Sequence, residues 1–435
     1  MTLRSCKLTK HSSAGEDIIS TLPDALLTQI LLFLPEADVK QTRFLSNRWK
    51  DIWTFLPNLR LIMPSLSEEA KKFENFVDQT LALRDGMPIE EFYLYCSETC
   101  DYDSAYDWLC TVVKSKVQKI QLRFPHNRLK VKLCWNLFRT CDTLVELTLQ
   151  GEFVLDVPRA ELHFPCLKKI NLVSIAYSED EALMNLISGC PVLEELFVER
   201  EVNGKFDNLK MFKVASHSLK RLRIWFWRCV NFNVVIDAPN LEYLYIADEI
   251  SQHYTFTKLL SLVEAHIETR PNVSSEILLT SLSSVKILTI PDSTVLAEAY
   301  SIHKPVFNNL VKFATGLECN WGWIMLPNLL ESMPNLEHIT FLDGLVPRSW
   351  ARVVFNMRWK PPMEVPHCLR FTMKEIIILN KEAITEEEFP LIRYLLRHSC
   401  HLETLSINAH NISPNTRDQL LRFPRGSAFC RIEFI

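Results

Sequence analysis

The sequence predicts an α/β fold made of a small helical module, a long stack of short strands and a C-terminal unit of different pattern. Three features of the 435-residue chain predict it. One short apolar phrase recurs thirteen times at nearly constant spacing, helical periodicity precedes its first copy, and the spacing breaks near the C-terminus.

The recurring phrase is an apolar residue, two variable residues, a second apolar residue, one variable residue and a third apolar residue. Examples are found at 144–149, 193–198 and 336–341. The copies begin at residues 89, 117, 144, 167, 193, 219, 241, 262, 285, 310, 336, 373 and 402. Most steps between copies are 21 to 28 residues, and leucine-rich repeats run about 20 to 29 residues. The sequence therefore predicts a curved leucine-rich-repeat solenoid over residues 89–345.

Each repeat is expected to contain a strand, a loop and a helical or irregular return. Strand alternation places the apolar residues of each phrase on one face, and stacking of the repeats buries these faces in one continuous core. Return helices are indicated at 108–113 and 178–189. The repeats that begin at 241 and 262 are too short for a full return helix.

A bridging helix is predicted within residues 61–88, ahead of the first repeat. Ser65 and Glu68 have the spacing of a capping box. One helical stripe then carries the apolar residues Phe73, Phe76, Val77 and Leu81. We expect this stripe to pack on the first repeat.

Composition excludes several classes of protein. With 48% apolar residues and a formal net charge of -4, the chain is expected to fold and shows no bias toward nucleic acid or membrane. Its nine glycines form neither of the two common phosphate-binding patterns. Residues 1–15 lack the apolar stretch of a signal peptide. We expect a disordered tail over 1–15 and localisation to the cytoplasm, the nucleus or both.

Catalytic and metal-binding chemistry is not indicated. Thirteen cysteines are scattered along the chain without a C-x-x-C pair, and in a reducing compartment such cysteines are by default thiols. The histidines of the repeats are also dispersed, at His163, His217, His266, His338 and His401. Neither a metal cluster nor a nucleophile with its base can be identified. The sequence predicts a non-catalytic protein without a metal or other cofactor.

The helical module occupies residues 16–60. Its first helix is predicted to begin around Pro23 and to run to Leu34, before Pro35. A second short helix is predicted at 39–45, and a third begins after Ser46. The apolar arc of the first helix covers about half its circumference, and a module of this size has a marginal core. We therefore expect another protein to cover part of that arc.

This module resembles the F-box of plant F-box proteins. The resemblance rests on Leu-Pro-Asp at 22–24, the apolar residues that follow it, and Leu-Ser-Asn-Arg-Trp at 45–49 with Trp53 four residues later. It implies docking to a Skp-type adaptor and, through it, to the cullin and RING subunits of a ubiquitin ligase. The adaptor contacts that the resemblance implies are Leu22, Pro23, Leu26, Ile30, Leu34, Val39, Leu45 and Trp49. In the alternative, some of the residues of this motif only close the three-helix core, and Trp49 and Trp53 are the first candidates for that role.

The C-terminal unit, residues 346–435, follows a longer step of 37 residues between phrases. It begins with a Trp- and Pro-rich segment at 359–369, then an isolated strand at 375–379, a helix around 391–396 and the last phrase. This order resembles the FBD domain of many plant F-box proteins with leucine-rich repeats. A terminal unit of altered sequence caps the exposed end of a solenoid, and a dedicated binding function is the alternative.

The central repeats carry a candidate binding strip. The variable residues of each strand should lie on the concave side, because strand side chains alternate. We name as candidate substrate-binding residues Phe197, Arg221, Arg223, Trp225, Tyr243, Tyr245 and His266. Acidic residues lie on both sides of them, at Glu195, Glu199, Glu264 and Glu268. Tyr, Trp and Arg dominate binding hot spots, but a solvated face with arginine–acid pairs across strands is the alternative.

Two functions follow. The first is a substrate-recognition subunit of a Skp–cullin–F-box ubiquitin ligase, which binds the adaptor by its F-box and a protein target by its repeats. The second is a leucine-rich-repeat scaffold or ligand-sensing protein without ligase activity. An enzyme would require a pocket with convergent titratable groups.

Overall fold

A computed structural model describes residues 18–34, 36–46, 48–84, 86–125, 131–151, 153–159, 162–201, 209–227, 233–248, 251, 253–257, 259–269, 275–302, 304–317, 320–345, 359–380, 384, 386–409 and 412–435. The chain divides into two compact units, Met1–Lys119 and Ile120–Ile435. The tail expected at 1–15 lies outside the described residues.

The first unit begins with short helices, of which the first was not predicted and the others lie close to the three predicted helices. They are α1 (Ile18–Thr21), α2 (Asp24–Leu32), α3 (Glu36–Gln41), a 3₁₀ turn (Thr42–Phe44), α4 (Trp49–Ile52) and a second 3₁₀ turn (Trp53–Phe55). Pro23 stands at the N-cap of α2, where its fixed φ suits the start of a helix. The side chains that form the core are Leu27, Leu31, Val39, Trp49 and Ile52.

The rest of the first unit alternates strands and helices: β1 (Asn58–Ile62), α5 (Ser67–Leu83), β2 (Glu91–Tyr95) and α6 (Tyr102–Lys114). Strand β1 pairs in parallel with β2, and Leu59 and Leu61 are buried. This strand was not predicted from the sequence. Leu56, Leu59 and Leu61 repeat the apolar phrase, but the residues were assigned to the end of the helical module.

The bridging helix α5 forms without the predicted capping box. It begins at Ser67 after Leu66, which provides no side-chain cap, so the interpretation of Ser65 and Glu68 was wrong. Its inner face buries Val77 and Leu81. Asp78 accepts a hydrogen bond from Trp108 Nε1 at 2.7 Å, which joins α5 to α6, the return helix of the first repeat.

Strand β3 (Lys119–Phe124) begins at the last residue of the first unit. The strands that follow in the second unit are β4 (Val131–Lys132), β5 (Glu146–Gly151), β6 (Phe153–Leu155), β7 (Lys169–Val173), β8 (Ala176–Tyr177), β9 (Glu195–Glu201), β10 (Met211–Ala215), β11 (Arg221–Trp227), β12 (Asn233–Asp237), β13 (Tyr243–Asp248), β14 (His253–Phe256), β15 (Glu264–Thr269), β16 (Ile287–Ile290), β17 (Lys312–Thr315), β18 (His338–Phe341), β19 (Glu375–Asn380), β20 (Thr404–Ala409) and β21 (Arg431–Phe434). Its helices are a 3₁₀ segment (Trp135–Thr140), α7 (Ala182–Ser188), α8 (Ser275–Ser281), α9 (Ser293–Ile302), α10 (Asn320–Glu331), α11 (His367–Phe371), α12 (Phe389–His398) and α13 (Pro414–Leu421).

The predicted phrases form one parallel sheet in the second unit. Its order from β5 is β5-β7-β9-β11-β13-β15-β16-β17-β18-β19-β20-β21. The phrase at 193–198 is representative, because Leu193, Leu196 and Val198 are at most 1% exposed while the residues between them are half-buried. Stacking therefore buries one continuous apolar face. Alternation places Leu196 and Val198 on that face, whereas Leu193 precedes β9 and is buried ahead of the strand, so the prediction that one strand face carries all three was wrong.

Several repeats return through strands, which was not predicted. Strands β4, β6 and β8 form one small parallel sheet, and β10, β12 and β14 form another. In the second of these sheets, Phe212, Val214, Val234 and Ile236 are buried in alternation. The repeat at 241 lacks a return helix, as expected, because its return is β14. The repeat at 262 contains α8, so the same expectation was wrong there.

Gly151 marks a close approach of two backbones. It has a φ of +105°, and a Cβ atom there would overlap the carbonyl oxygen of Phe124. Only glycine combines this backbone conformation with that approach. The chain therefore passes from β5 to β6 through a position that excludes side chains.

The C-terminal unit continues the main sheet. The strand predicted as isolated, β19, instead pairs with β18 and with β20 in parallel, so that prediction was wrong. The predicted helix around 391–396 is α12, and its Tyr394 ring lies 4.9 Å from that of Trp359. Strand β21 adds a copy of the phrase that was overlooked, in which Ile432 and Phe434 are half-buried.

No helix within the described ranges has the length and apolar composition needed to cross a membrane. In the same part of the chain, no group of three or more His, Cys, Asp and Glu side chains is arranged to hold a metal ion.

Candidate docking surfaces

Helix α2 separates two rows of apolar side chains. Leu27 and Leu31 point into the core and are at most 1% exposed. Leu26, Ile30 and Leu34, at intervals of four residues, are 45%, 38% and 38% exposed. Residues four apart lie on one helix face, so the second row is an apolar surface that the module itself does not cover.

Further apolar side chains of the module are exposed. Leu45 belongs to the candidate set, whereas Phe33 and Phe44 were not named, although they are 88% and 75% exposed. Phe33 is at helical spacing from Leu26 and Ile30 in the sequence, and that signal was sufficient to find it. We call Leu26, Ile30, Phe33, Phe44 and Leu45 the exposed apolar set of the module.

The other candidate adaptor contacts occupy different environments. Val39 and Trp49 are buried in the core, at 7% and 3% exposure, which is the structural alternative left open for Trp49. Leu22 is partly buried against the same core, and Pro23 is exposed at the start of α2. The side chain of Trp53 lies outside what the structure describes.

The candidate strip on the sheet is assembled as predicted. Arg221 lies opposite Glu195 and Tyr243 in register, and Arg223 lies opposite Phe197 and Tyr245. His266 follows Tyr245 on the next strand. All seven candidate residues thus project from one face of strands β9, β11, β13 and β15, because the intervening residues are buried in alternation.

The two arginines of the strip converge on one aromatic ring. The guanidinium carbon of Arg221 lies 4.3 Å from the centroid of the Tyr243 ring, and that of Arg223 lies 5.5 Å from it. Cation–π attraction at such distances contributes about 0.5–1 kcal/mol at exposed sites. The alternative of arginine–acid pairs is not realised at Glu195, which binds Lys169 Nζ at 3.2 Å.

The neighbouring strands hold a second aromatic group. The Tyr245 and His266 rings stack at 4.6 Å with an interplanar angle of 14°. Glu268 lies 3.5 Å from Tyr245 Oη and 3.8 Å from His266 Nε2. Burial lowers the pKa of His266, against the opposing effect of Glu268. The pKa of Tyr245 is raised by burial and by the Glu268 charge.

Tryptophan side chains occupy the far end of β11. The Trp225 and Trp227 rings lie 5.3 Å apart, and Trp227 is 39% exposed. Glu199 lies opposite Trp225 in register. Burial, and then the charge of Glu201, raises the pKa of Glu199. The strip is therefore positively charged around Tyr243. Toward the C-terminal ends of β9 and β11 it carries acidic and aromatic side chains.

Comparison with known proteins identifies the modules that these surfaces belong to. An F-box domain model matches residues 19–61, a model described as "FBD-associated F-box protein At5g56370, LRR repeats" matches 105–341, and an FBD model matches 361–407. The leucine-rich-repeat model alone covers more than half of the chain. This protein belongs to the F-box/FBD/LRR-repeat family.

Similar proteins of Arabidopsis thaliana match over nearly their whole length. The "Putative FBD-associated F-box protein At5g56440" is 31% identical, over 96% of this chain and 98% of its own. The "Probable FBD-associated F-box protein At1g32375" is 30% identical, over 96% and 100%. The "F-box/FBD/LRR-repeat protein At4g26340" is 27% identical, over 93% and 96%.

Membership of the F-box/FBD/LRR-repeat family indicates the class of partner that each of the two surfaces binds. An F-box implies binding to a Skp1-type adaptor, and leucine-rich repeats imply binding to a protein target. Together they indicate a substrate-adaptor role in ubiquitination. The exposed apolar set lies within the F-box match, and the strip lies within the repeat match.

Proposed function

We propose that this protein is the substrate-recognition subunit of a Skp–cullin–F-box ubiquitin ligase. Its F-box binds the adaptor and its repeats bind a target protein. The observation that carries the proposal is the exposed apolar set beside a small core, in which the described side chains include five buried apolar ones.

The size of the F-box supports this assignment. A module with so small a core gains little free energy from folding, and each large apolar side chain left in water forgoes about 1.5–3 kcal/mol of burial energy. Exposed apolar side chains that are concentrated on one small module mark an interaction site. An adaptor that covers Leu26, Ile30 and Leu34 stabilises the module and holds the chain in the ligase.

The repeats support target recognition by residue type. The strip combines tyrosine, tryptophan and arginine, the side chains that contribute most to binding hot spots. They project from consecutive strands of a sheet whose opposite face is buried, and rigid elements position binding groups more accurately than loops do.

The protein performs no bond chemistry in this proposal. It acts by holding a target lysine near the ubiquitin-charged enzyme that the RING subunit recruits. A tether of this kind raises the effective concentration to about the millimolar range. The cysteines of the described residues are thiols, which fits the cytoplasm or the nucleus.

Co-purification of the full chain with a plant Skp-type adaptor tests the proposal. The wild-type chain should form a stable one-to-one complex. The double substitution Leu26→Asp with Ile30→Asp should abolish it, because two charges would enter an apolar interface. Both residues are exposed, so the folded state should survive, as circular dichroism would verify.

Leu260→Asp is the matched control, because Leu260 is 76% exposed and lies in the repeats. This variant should bind the adaptor as the wild type does. If the wild type forms no complex, or if the double variant binds as well as the control, the ligase role of the F-box is wrong and a leucine-rich-repeat scaffold becomes the better description.

A further inference from the structure

Arg221 and Arg223, the arginine pair, have the same sign of charge and share one ring. Both are exposed, and both guanidinium groups lie over Tyr243, at 4.3 and 5.5 Å from its centroid. Two cations held this close repel each other unless an anion lies between them. Their arrangement is therefore suited to a negatively charged group.

Two of the acidic side chains beside the strip, Glu195 and Glu268, contact other groups. Glu195, directly opposite Arg221, binds Lys169 at 3.2 Å. Glu268 lies near Tyr245 Oη and His266 Nε2. The arginine pair thus contacts an aromatic ring, while Glu195 binds Lys169 and Glu268 lies beside Tyr245 and His266.

We propose that the arginine pair binds the carboxylate of an acidic side chain in the target protein. This inference rests on the proposed function and deepens it, because it names the chemistry of the segment that the strip recognises. Guanidinium groups present parallel N–H donors that match a carboxylate in two-point geometry. Tyr243 holds both groups from below and so reduces the side-chain freedom that binding would otherwise remove.

The surroundings favour a carboxylate over a phosphate group. Glu195 lies one strand away from the arginine pair, opposite Arg221, and Glu264 lies one strand away from Tyr243, directly opposite it. Neighbouring strands are about 4.8 Å apart. A group of single charge meets less repulsion there than a phosphate of about two charges. Acids on both sides of the pair also disfavour nucleic acid, which prefers an unbroken basic surface.

The tryptophans define a second feature of the segment. Trp225 lies two residues beyond Arg223 on the same strand, a distance of about 7 Å, and Trp227 is 39% exposed. An apolar side chain of the target would bury this surface. The preferred segment therefore has an acidic residue with an apolar residue within a few positions on either side of it.

Selection from a random library of short displayed peptides tests this inference on the full chain. Peptides are selected on the wild-type protein and counter-selected on the variant Arg221→Gln with Arg223→Gln. Peptides that need the arginine pair should be enriched in Asp or Glu. One selected peptide is then compared in solution with forms in which its acid is Gln or phosphoserine.

The Gln form and the double arginine variant should each weaken binding about tenfold or more, since a hydrogen-bonded charged group is lost. The matched control is Lys286→Gln with Lys312→Gln, which removes two exposed charges at the start of β16 and on β17 of the same sheet. It should change affinity less than twofold.

The inference would be overturned if no selected peptide depended on the arginine pair. It would also be overturned if the peptides that depend on the pair lacked acidic residues. Tighter binding of the phosphoserine form, or an equal loss in the lysine control, would overturn it as well. Adaptor co-purification and peptide binding, both measured on the wild-type chain, separate the two proposals. A retained adaptor complex without acid-dependent peptide binding contradicts only this inference, whereas peptide binding without an adaptor complex contradicts only the ligase role.

Discussion

Arg48 donates hydrogen bonds from Nε and Nη2 to the same oxygen of Asp24, Oδ1, at 3.2 and 2.7 Å. This pair joins the first residue of α2 to the residue that precedes α4. It thereby connects the Leu-Pro-Asp and Arg-Trp parts of the F-box sequence, which are 24 residues apart. Both side chains are partly exposed, at 38% and 61%, so we attribute to the pair an orienting role more than a large stabilising one.

The Asp24–Arg48 pair should contribute about 0.2–1 kcal/mol, the range for exposed ion pairs. A double-mutant cycle with Asp24→Asn and Arg48→Gln measures this coupling through amide hydrogen exchange of α2. A coupling above about 3 kcal/mol would match a buried pair and contradict the exposed geometry.

Replacement of Gly151 by Ala should destabilise the second unit strongly. The new Cβ would overlap the Phe124 carbonyl oxygen, in addition to the strain of a positive φ. Gly86→Ala is a matched control, because Gly86 has a φ of +78° but no atom within 4 Å of the added Cβ. We expect about 1–2 kcal/mol for the control and clearly more for Gly151→Ala, measured as denaturant midpoints. Equal losses of stability in the two variants would show that the positive φ, and not the overlap with the Phe124 carbonyl oxygen, causes the loss in Gly151→Ala.

The stability of the strip should depend on the protonation of His266. Burial lowers its pKa below the ordinary value of 6.5, so the folded state favours the neutral ring. The stabilisation is complete above pH 6.5 and is lost as the pH falls toward the lowered pKa. In His266→Gln, unfolding free energy should vary less between pH 5 and pH 7. An unchanged pH slope in that variant would assign the dependence to other groups.

Cysteine reactivity should follow burial. Burial raises the pKa of Cys190 and of Cys368 to about 12, and only the thiolate reacts with alkylating agents. Cys166 and Cys400 are exposed. Iodoacetamide at neutral pH should therefore modify the exposed pair well before the buried pair, as peptide mass spectrometry would show. Denaturant should remove the difference, and rapid modification of Cys190 in the folded chain would contradict its burial.

Periodicity predicted the main sheet because each phrase carries its own evidence for a strand. Leu196 and Val198 occupy positions that an extended chain places on one face, and both are buried, as is Leu193 just before the strand. The two terminal strands β1 and β21 carry the same phrase. Strand β1 was overlooked because it directly follows a helical module. The phrase of β21 begins with Phe429, which is 86% exposed and so departs from the buried first residue of the other phrases.

The return segments were harder to predict, because a return lies against its neighbours and takes the conformation that they permit. Val234 and Ile236 alternate as a strand would, but two buried residues are too few to distinguish a strand from an irregular loop. Strand β12 forms because β10 and β14 lie on either side of it.

The amino-acid sequence by itself determined the repeat register, the order of the modules and the face on which the strip residues lie, since these depend on local periodicity. Tertiary structure decided which apolar residues of the F-box remain exposed and which partners the charged residues take. Val39 and Trp49 fill the core while Leu26 and Ile30 do not, and Arg221 lies over Tyr243 while Glu195 binds Lys169. Such choices depend on distances between residues remote in sequence, which a single sequence does not contain.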